Sequence, residues 1–276
     1  MYHPIIDRLK RIAELLPTSI GGEFIPSGTK QISITQNGTT LEDVTQYANA
    51  EISVNVPSVS VTDGIVVNSR DSSGRATNID FYGNVVNIQQ FYNYTKNNGA
   101  WISLASITFK DTVTEIKNNG FRCCGLLSAL PETVEIINTN GCEQTGVVAL
   151  SLPNLTTLQG GSTFLTCTNL QSFVAPKLTS IQGNYNFGAC SALQNVQIGS
   201  VGYGLTNIPS NTFSQVTQTG LTITVYTSGT YVDAILSNIR NSATNATIII
   251  KASETTTYNN VSYNAGDTIV TSEVTP

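Results

Sequence analysis

Histidine occurs once in the 276 residues, at His3, and this removes most nucleophilic chemistry. A Ser/His/Asp or Cys/His site needs an imidazole beside its nucleophile, and the body of the chain has none to offer. Of the five cysteines, Cys123 and Cys124 are adjacent, while Cys167 and Cys190 stand 23 apart. Neither a C-x-x-C pair nor a Cys/His zinc spacing occurs, so no metal site is expected. The thiols read as small buried hydrophobes. Glycoside hydrolysis needs two carboxylates across a cleft. From Gln144 to Val232 there is no Asp or Glu, and Lys177 is the only charge. Asp63, Asp71, Asp80, Asp111, Glu115 and Asp233 lie in the flanks without a pairing pattern. The run Asp71…Gly74…Asn78…Asp80 lacks the spacing and terminal Glu of an EF-hand loop and reads as a turn. Gly160-Gly161 and Gly202…Gly204 follow no phosphate-loop pattern. The expectation is a chain that is not an enzyme and uses no cofactor.

Composition points the same way. Charged residues make up 11% of the chain, against about a quarter in an ordinary globular domain. Ser, Thr and Asn take their place and form about a third of the sequence. Hydrophobic residues, at 40%, suffice for a core, so disorder is not the main state. With 13 basic and 18 acidic residues and no basic cluster, neither a nucleic acid nor an anionic membrane is an expected partner. No window approaches the ~20 apolar residues of a membrane span. The first twelve residues interrupt their apolar positions with Asp7, Arg8, Lys10 and Arg11, whereas a secretory signal runs about 7–15 apolar residues unbroken. Synthesis in the cytoplasm without the general secretion route is expected.

Four segments follow from periodicity. Residues 1–29 open with an amphipathic helix in which Ile5, Leu9, Ile12 and Leu16 step by four, three and four, ended by Pro17, and then a linker. A helix this short is marginal alone, so it docks on its own chain, on another protein or on copies of itself. Residues 30–75 read as a small β module with Asn37-Gly38 as a hairpin turn, a strand at 50–56, and a second hairpin whose strands start at Gly64 and Ala76. From 76 to 228 the chain repeats. Leu155, Leu158, Phe164, Cys167, Leu170 and Phe173 recur 23 residues later as Leu178, Ile181, Phe187, Cys190, Leu193 and Val196. Phe121, Cys124, Leu127 and Leu130 carry the same string. Phe81…Ile88 matches Phe109…Ile116, and Leu205…Ile208…Phe213 is a final degenerate copy. Residues 229–276 form a cap: a helix at 230–239, a strand at 247–251, and a hairpin around Asn264–Asp267.

A fixed period of 20–29 residues with this apolar signature reads as a leucine-rich-repeat solenoid. The fold class is therefore mainly β: a leucine-rich-repeat solenoid preceded by a short N-terminal helix and a small β unit. Stacked turns place the Phe and Cys positions in ladders, and the spacing does not require a disulfide between rungs. With Leu170 and Phe173 inward, Ser172 and Val174 face out, beside Asn195 and Gln197 and, near the end, Thr222 and Thr224. Tyr185, Tyr203, Tyr226 and Tyr231 are turn aromatics able to stack on sugar rings or fill protein pockets. Amides, hydroxyls and Tyr are what a saccharide-binding surface uses, and a passive polar surface is the alternative.

The string from Phe164 through Cys167, Leu170, Phe173, Leu178, Ile181, Phe187 and Cys190 to Leu193 resembles BspA-type leucine-rich repeats. Such repeats are β-solenoids on surface and adhesion proteins of bacteria and protists, and on phage and prophage proteins. The segment Ile34-Thr-Gln-Asn37-Gly38…Asp43-Val44…Tyr47-Ala48…Ile52-Ser-Val54-Asn55-Val56-Pro57 is similar to a short module of predicted virion proteins from phages of Gram-positive gut bacteria, with a longer piece before Asp43. The stretch Asp63-Gly64…Arg70-Asp71…Asp80-Phe81-Tyr82-Gly83 resembles the lead-in to repeats in such proteins. Together the resemblances imply a virion fibre or decoration protein, anchored to other virion proteins by its N-terminal part, homotrimeric, and meeting a host surface glycan or protein. A bacterial adhesin is the alternative, and a polysaccharide depolymerase the enzymatic one. The Ile5-Leu9-Ile12-Leu16 seam predicts that the intact chain is oligomeric by light scattering and that removing residues 1–29 yields a monomer. A monomer in both cases would leave docking on another protein as the role of that segment.

Overall fold

Residues 31–36, 39–45, 51–52, 64–72, 76–83, 85–86 and 103–272 are described in the computed structural model. The helix expected through Ile5, Leu9, Ile12 and Leu16 lies outside them, as does most of the strand expected at 50–56. The chain clusters into two compact units, residues 1–84 with 103–112, and residues 85–102 with 113–276.

The first unit begins with β1 (Gln31–Gln36) and β2 (Thr39–Thr45). They pair antiparallel from Gln36↔Thr39 outward, bracketing the Asn37-Gly38 turn signal. β3 (Glu51–Ile52), β4 (Gly64–Arg70) and β5 (Ala76–Tyr82) follow. β6 (Val85–Val86) belongs to the second unit, and β7 (Ser106–Phe109) returns to the first. β3, β4 and β5 are antiparallel, whereas β7 lies parallel to β5 with Phe81 opposite Phe109, ring centroids 6.0 Å apart. Ile79, Phe81 and Leu104 are buried here, and Lys110 Nζ sits 2.9 Å from the Asp80 carboxylate.

The second unit is the solenoid. β8 (Glu115–Ile116), β9 (Ile136–Asn138), β11 (Thr157–Gln159) and β13 (Ser180–Gln182) join β6 in a five-stranded parallel sheet, in the order β13-β11-β9-β8-β6. A six-stranded sheet alternates with it along the chain. It contains β10 (Ala149–Ser151), β12 (Ser172–Ala175), β14 (Asn195–Ile198), β15 (Thr222–Thr227), β16 (Thr247–Ala252) and, antiparallel at its edge, β19 (Thr268–Ser272). The 23-residue period is the strand register itself: Leu158 lies opposite Ile181, and Phe173 opposite Val196. One expected register is corrected. Val86, not Ile88, is the partner of Ile116. Both positions are apolar, so the spacing could not choose between them.

A third side, the turn that follows each of β8, β9, β11 and β13, holds the stack together. Two residues four apart take left-handed backbone in each: Asn119 and Cys123, Asn140 and Gln144, Ser162 and Thr166, Tyr185 and Ala189. Alternate backbone N–H groups then donate to the next turn, as Phe121 does to Gly141, Cys142 to Thr163, Phe164 to Asn186 and Phe187 to Thr212. The N–H groups between them donate back three residues within their own turn, as Arg122 does to Asn119 and Cys124 to Phe121. This aligns Phe121, Cys142, Phe164, Phe187 and Phe213 in one buried column and Cys124, Thr145, Cys167, Cys190 and Val216 in another. Phe164, Phe187 and Phe213 stack with centroids 5.5 and 5.3 Å apart, and Phe173 meets Phe187 edge-on at 4.8 Å. The turn through Cys142 escaped the repeat reading because Cys replaces Phe and Thr replaces Cys. Its signal was Ile116-x-x-Asn119-Gly120-Phe121 recurring as Ile137-x-x-Asn140-Gly141-Cys142. Gly160-Gly161 serves close approach of turns, since a Cβ on Gly183 would overlap the Gly161 nitrogen.

The end of the solenoid is closed by a 3-10 turn (Gly229–Tyr231), helix α1 (Val232–Ser242) and the last strands. Val232, Ile235, Leu236 and Ile239 give α1 one buried stripe, with Asp233 in its first turn and Arg240 in its last to suit the helix dipole. The terminal hairpin differs from expectation. β17 (Thr256–Tyr258) and β18 (Val261–Tyr263) turn at Asn259-Asn260, both left-handed, as a two-residue primed turn requires. Asn264–Asp267 instead forms a second turn that brings β19 back to β16, closed by the Asp267 carboxylate accepting from the Asn264 N–H at 2.8 Å. Removing the central ring of the aromatic stack should be costly. Phe187→Ala is expected to lose about 3–5 kcal/mol in urea unfolding, whereas Tyr185→Ala, two residues away and exposed, should change little.

Candidate functional site

Strand pleating turns alternate residues of the six-stranded sheet inward. Leu150, Phe173, Val196, Ile223 and Ile248 fill the core, one per strand. Their neighbours form two outward columns. Ala149, Ser172, Asn195, Thr222 and Thr247 lie in register, and so do Ser151, Val174, Gln197, Thr224 and Ile249. The structure thus brings Ser172, Val174, Asn195, Gln197, Thr222 and Thr224 together on one surface, at spacings of about 4.8 Å from strand to strand.

Of the four tyrosines named with them, Tyr226 shares the outward side of β15 and three lie elsewhere. Tyr185 sits on the left-handed turn between the sheets, 42% exposed and away from the columns. Tyr203 follows β14, bridged to Ser200, at the C-terminal ends of the strands. Tyr226 is not a turn residue but lies on β15, opposite Lys251, whose Nζ is 5.7 Å from its ring centroid. Tyr231 precedes α1. Thr247, Ile249 and Lys251 were missed as members of the face, because Thr247–Lys251 is β-branched throughout up to its lysine and shows no alternation. The echo of Thr222-Ile-Thr-Val-Tyr226 by Thr247-Ile-Ile-Ile-Lys251 was the available signal.

Several chemistry-bearing groups elsewhere in the solenoid have structural partners. Arg122 grips Glu143 on the next turn through Nε at 2.8 Å and Nη2 at 3.1 Å. Burial still pushes the Glu143 carboxyl up, against the pull of Arg122 downward. Glu115 accepts from Asn138 at 2.8 Å and pairs with Lys117. The Tyr258 hydroxyl donates to Asp233 at 2.7 Å. All five cysteines are free thiols. Cys167 donates to the Cys142 carbonyl and Cys190 to the Phe164 carbonyl, each at 3.1 Å, so the thiol serves as a small residue with one weak donor aimed at the preceding turn. Desolvation raises the thiols: Cys167 to about 11, and Cys124, Cys142 and Cys190 further. Cys123, half-buried, is raised as well, with Arg122 opposing.

Residues 73–137 and 97–219, together more than half of the chain, match the BspA type leucine-rich-repeat region in six copies. The chain belongs to this family. Its solenoid suggests a surface or adhesion-type protein. No curated protein and no solved structure matches the chain significantly. In this BspA-type solenoid four of the five thiols are core groups and Cys123 is half-buried, which sets their reactivity. A disulfide-exchange reagent at about pH 8, half a unit below the free-thiol pKa, should label at most Cys123 in the folded protein and all five cysteines after unfolding, counted by mass.

Proposed function

We propose that this BspA-type chain is a phage virion structural protein, a fibre or decoration element on head or tail, and that its solenoid meets the surface of the host cell. The observation that carries the contact role is the outward face of the six-stranded sheet, two registered columns of hydroxyl, amide and small apolar groups with Lys251 as their one flanking charge. Such a surface holds a partner by hydrogen bonds and apolar contact, with a neutral glycan or a polar protein patch as the matching chemistry. The chain acts by contact and not by catalysis, without a cofactor. Other virion proteins are its permanent partners, through residues 1–29, in a trimer assembled in the host cytoplasm and carried on the particle. The virion assignment is supported by the resemblance of Ile34–Pro57 and Asp63–Gly83 to segments of phage proteins. The family match equally favours a bacterial cell-surface adhesin, in which the same face would serve the same purpose.

Two measurements test this. Mass spectrometry of purified particles should find the chain, and its absence from particles would leave the adhesin. Labelled protein should bind host cells undiminished in about 0.5 M salt, where the Debye length is only a few ångströms. Binding should fall about tenfold or more when Asn195 and Gln197 are both changed to Glu, the loss expected from burying two unpaired carboxylates.

A further inference from the structure

Where β14, β15 and β16 end, the chain leaves a cleft of about 140 Å3. It lies off the outward columns, between the 199–206 loop, the Ser228–Tyr231 turn and Ser253-Glu254. Backbone hydrogen bonds fix its walls: Gly202 N–H donates to the Ser253 carbonyl at 2.8 Å, Leu205 N–H to Tyr226 at 2.7 Å, and Ser253 N–H to Thr227 at 2.9 Å. The Thr227 hydroxyl ties the same wall by donating to the Leu205 carbonyl at 2.6 Å. The cavity is therefore preformed.

Its lining offers unpartnered polar groups. Ser253 is 4% exposed as a residue, and its hydroxyl, which opens on the cleft, makes no hydrogen bond among the described residues. Gly204 is what permits it, since a Cβ there would overlap the Ser253 hydroxyl. The Ser228 hydroxyl and the Glu254 carboxylate on the rim are likewise without a partner among the described residues. The Tyr231 ring, 38% exposed, supplies apolar surface beside them, and Leu205, fully buried, forms the packed floor. Thr206 differs, because its hydroxyl already donates to Thr179 at 3.1 Å.

We propose that this cleft binds one neutral pyranose residue, such as the end of a glycan chain. The cleft is small: its 140 Å3 lies well below the ~300 Å3 at which sites for larger ligands begin. The donor set fits a sugar. Two hydroxyls that both donate and accept, plus a carboxylate that accepts from two vicinal hydroxyls, match a sugar edge, while the Tyr231 ring can lie against its C–H face. Glu254 disfavours an anion, and no cation among the lining residues offsets it. The inference rests on the attachment reading only for the source of the sugar; the site stands on its own geometry.

Saturation-transfer NMR of the full chain with methyl glycosides of glucose, galactose, N-acetylglucosamine, N-acetylgalactosamine and rhamnose tests it. At least one should bind, unchanged in about 0.5 M salt. Glu254→Ala and Tyr231→Ala should each weaken binding about tenfold or more, and Gln197→Ala should leave it intact. Both altered side chains are exposed, so folding is retained. No transfer from any glycoside, binding indifferent to both substitutions, or binding abolished by salt would overturn the site. A chain that attaches to cells but binds no glycoside refutes the cleft alone. One that binds a glycoside but no cell leaves the cleft standing and refutes attachment.

Discussion

The solenoid depends on an alternation of backbone hydrogen bonds in its turns. Asn119, Asn140, Ser162 and Tyr185 open the turns in left-handed backbone, and Cys123, Gln144, Thr166 and Ala189 close them the same way. For residues other than glycine this conformation costs about 1–2 kcal/mol each. In return every one of these residues points its N–H at a carbonyl of the following turn, and so does the residue midway between them. The cost is local and the gain lies between turns, so no turn is stable without a neighbour. The side-chain columns follow from that geometry. Because the midway residue points inward at each turn, Phe164, Phe187 and Phe213 must stack, and the position three residues on must be small: Cys, Thr or Val.

The same geometry separates structural chemistry from surface chemistry. Thiols, the Arg122–Glu143 pair and the Thr163–Asn186 contact at 2.7 Å all bridge one turn to the next. They are spent inside the stack. What the sheet offers outward is hydroxyl, amide and methyl, with charge almost absent from residue 144 to 232. A surface so composed stays hydrated without attracting ions, which suits recognition that works at any ionic strength.

Legibility followed the redundancy of the signal. The register Leu158↔Ile181 and Phe173↔Val196 could be read because six apolar positions recur together at one spacing. With that register the outward places of Ser172, Asn195 and Thr222 followed by alternation alone. The turn at Cys142 was hidden because two of its marker residues are exchanged, although packing tolerates both exchanges. The primed turn at Asn259-Asn260 competed with Asn264–Asp267, and both proved to be turns, so composition could not say which one joined β17 to β18. The position of Tyr185 was lost because its side of the turn is set by a positive φ, which residue type announces only for Gly or Asn. The cleft at Ser253 joins three segments that are distant in sequence, and no local pattern encodes it.

β19 runs against the grain of the sheet it completes. Every other junction in that sheet is parallel and interchangeable, so a further turn could be spliced in by duplication anywhere among the repeats, lengthening the array by about 4.8 Å. At β16 the interchange stops. The backward strand offers a mismatched edge to any additional repeat, and the Arg240–Ser272 bond at 2.6 Å latches it to α1. Gene duplication can therefore lengthen the array from within, while this closing element, with the cleft beside it, is inherited as a single finished piece.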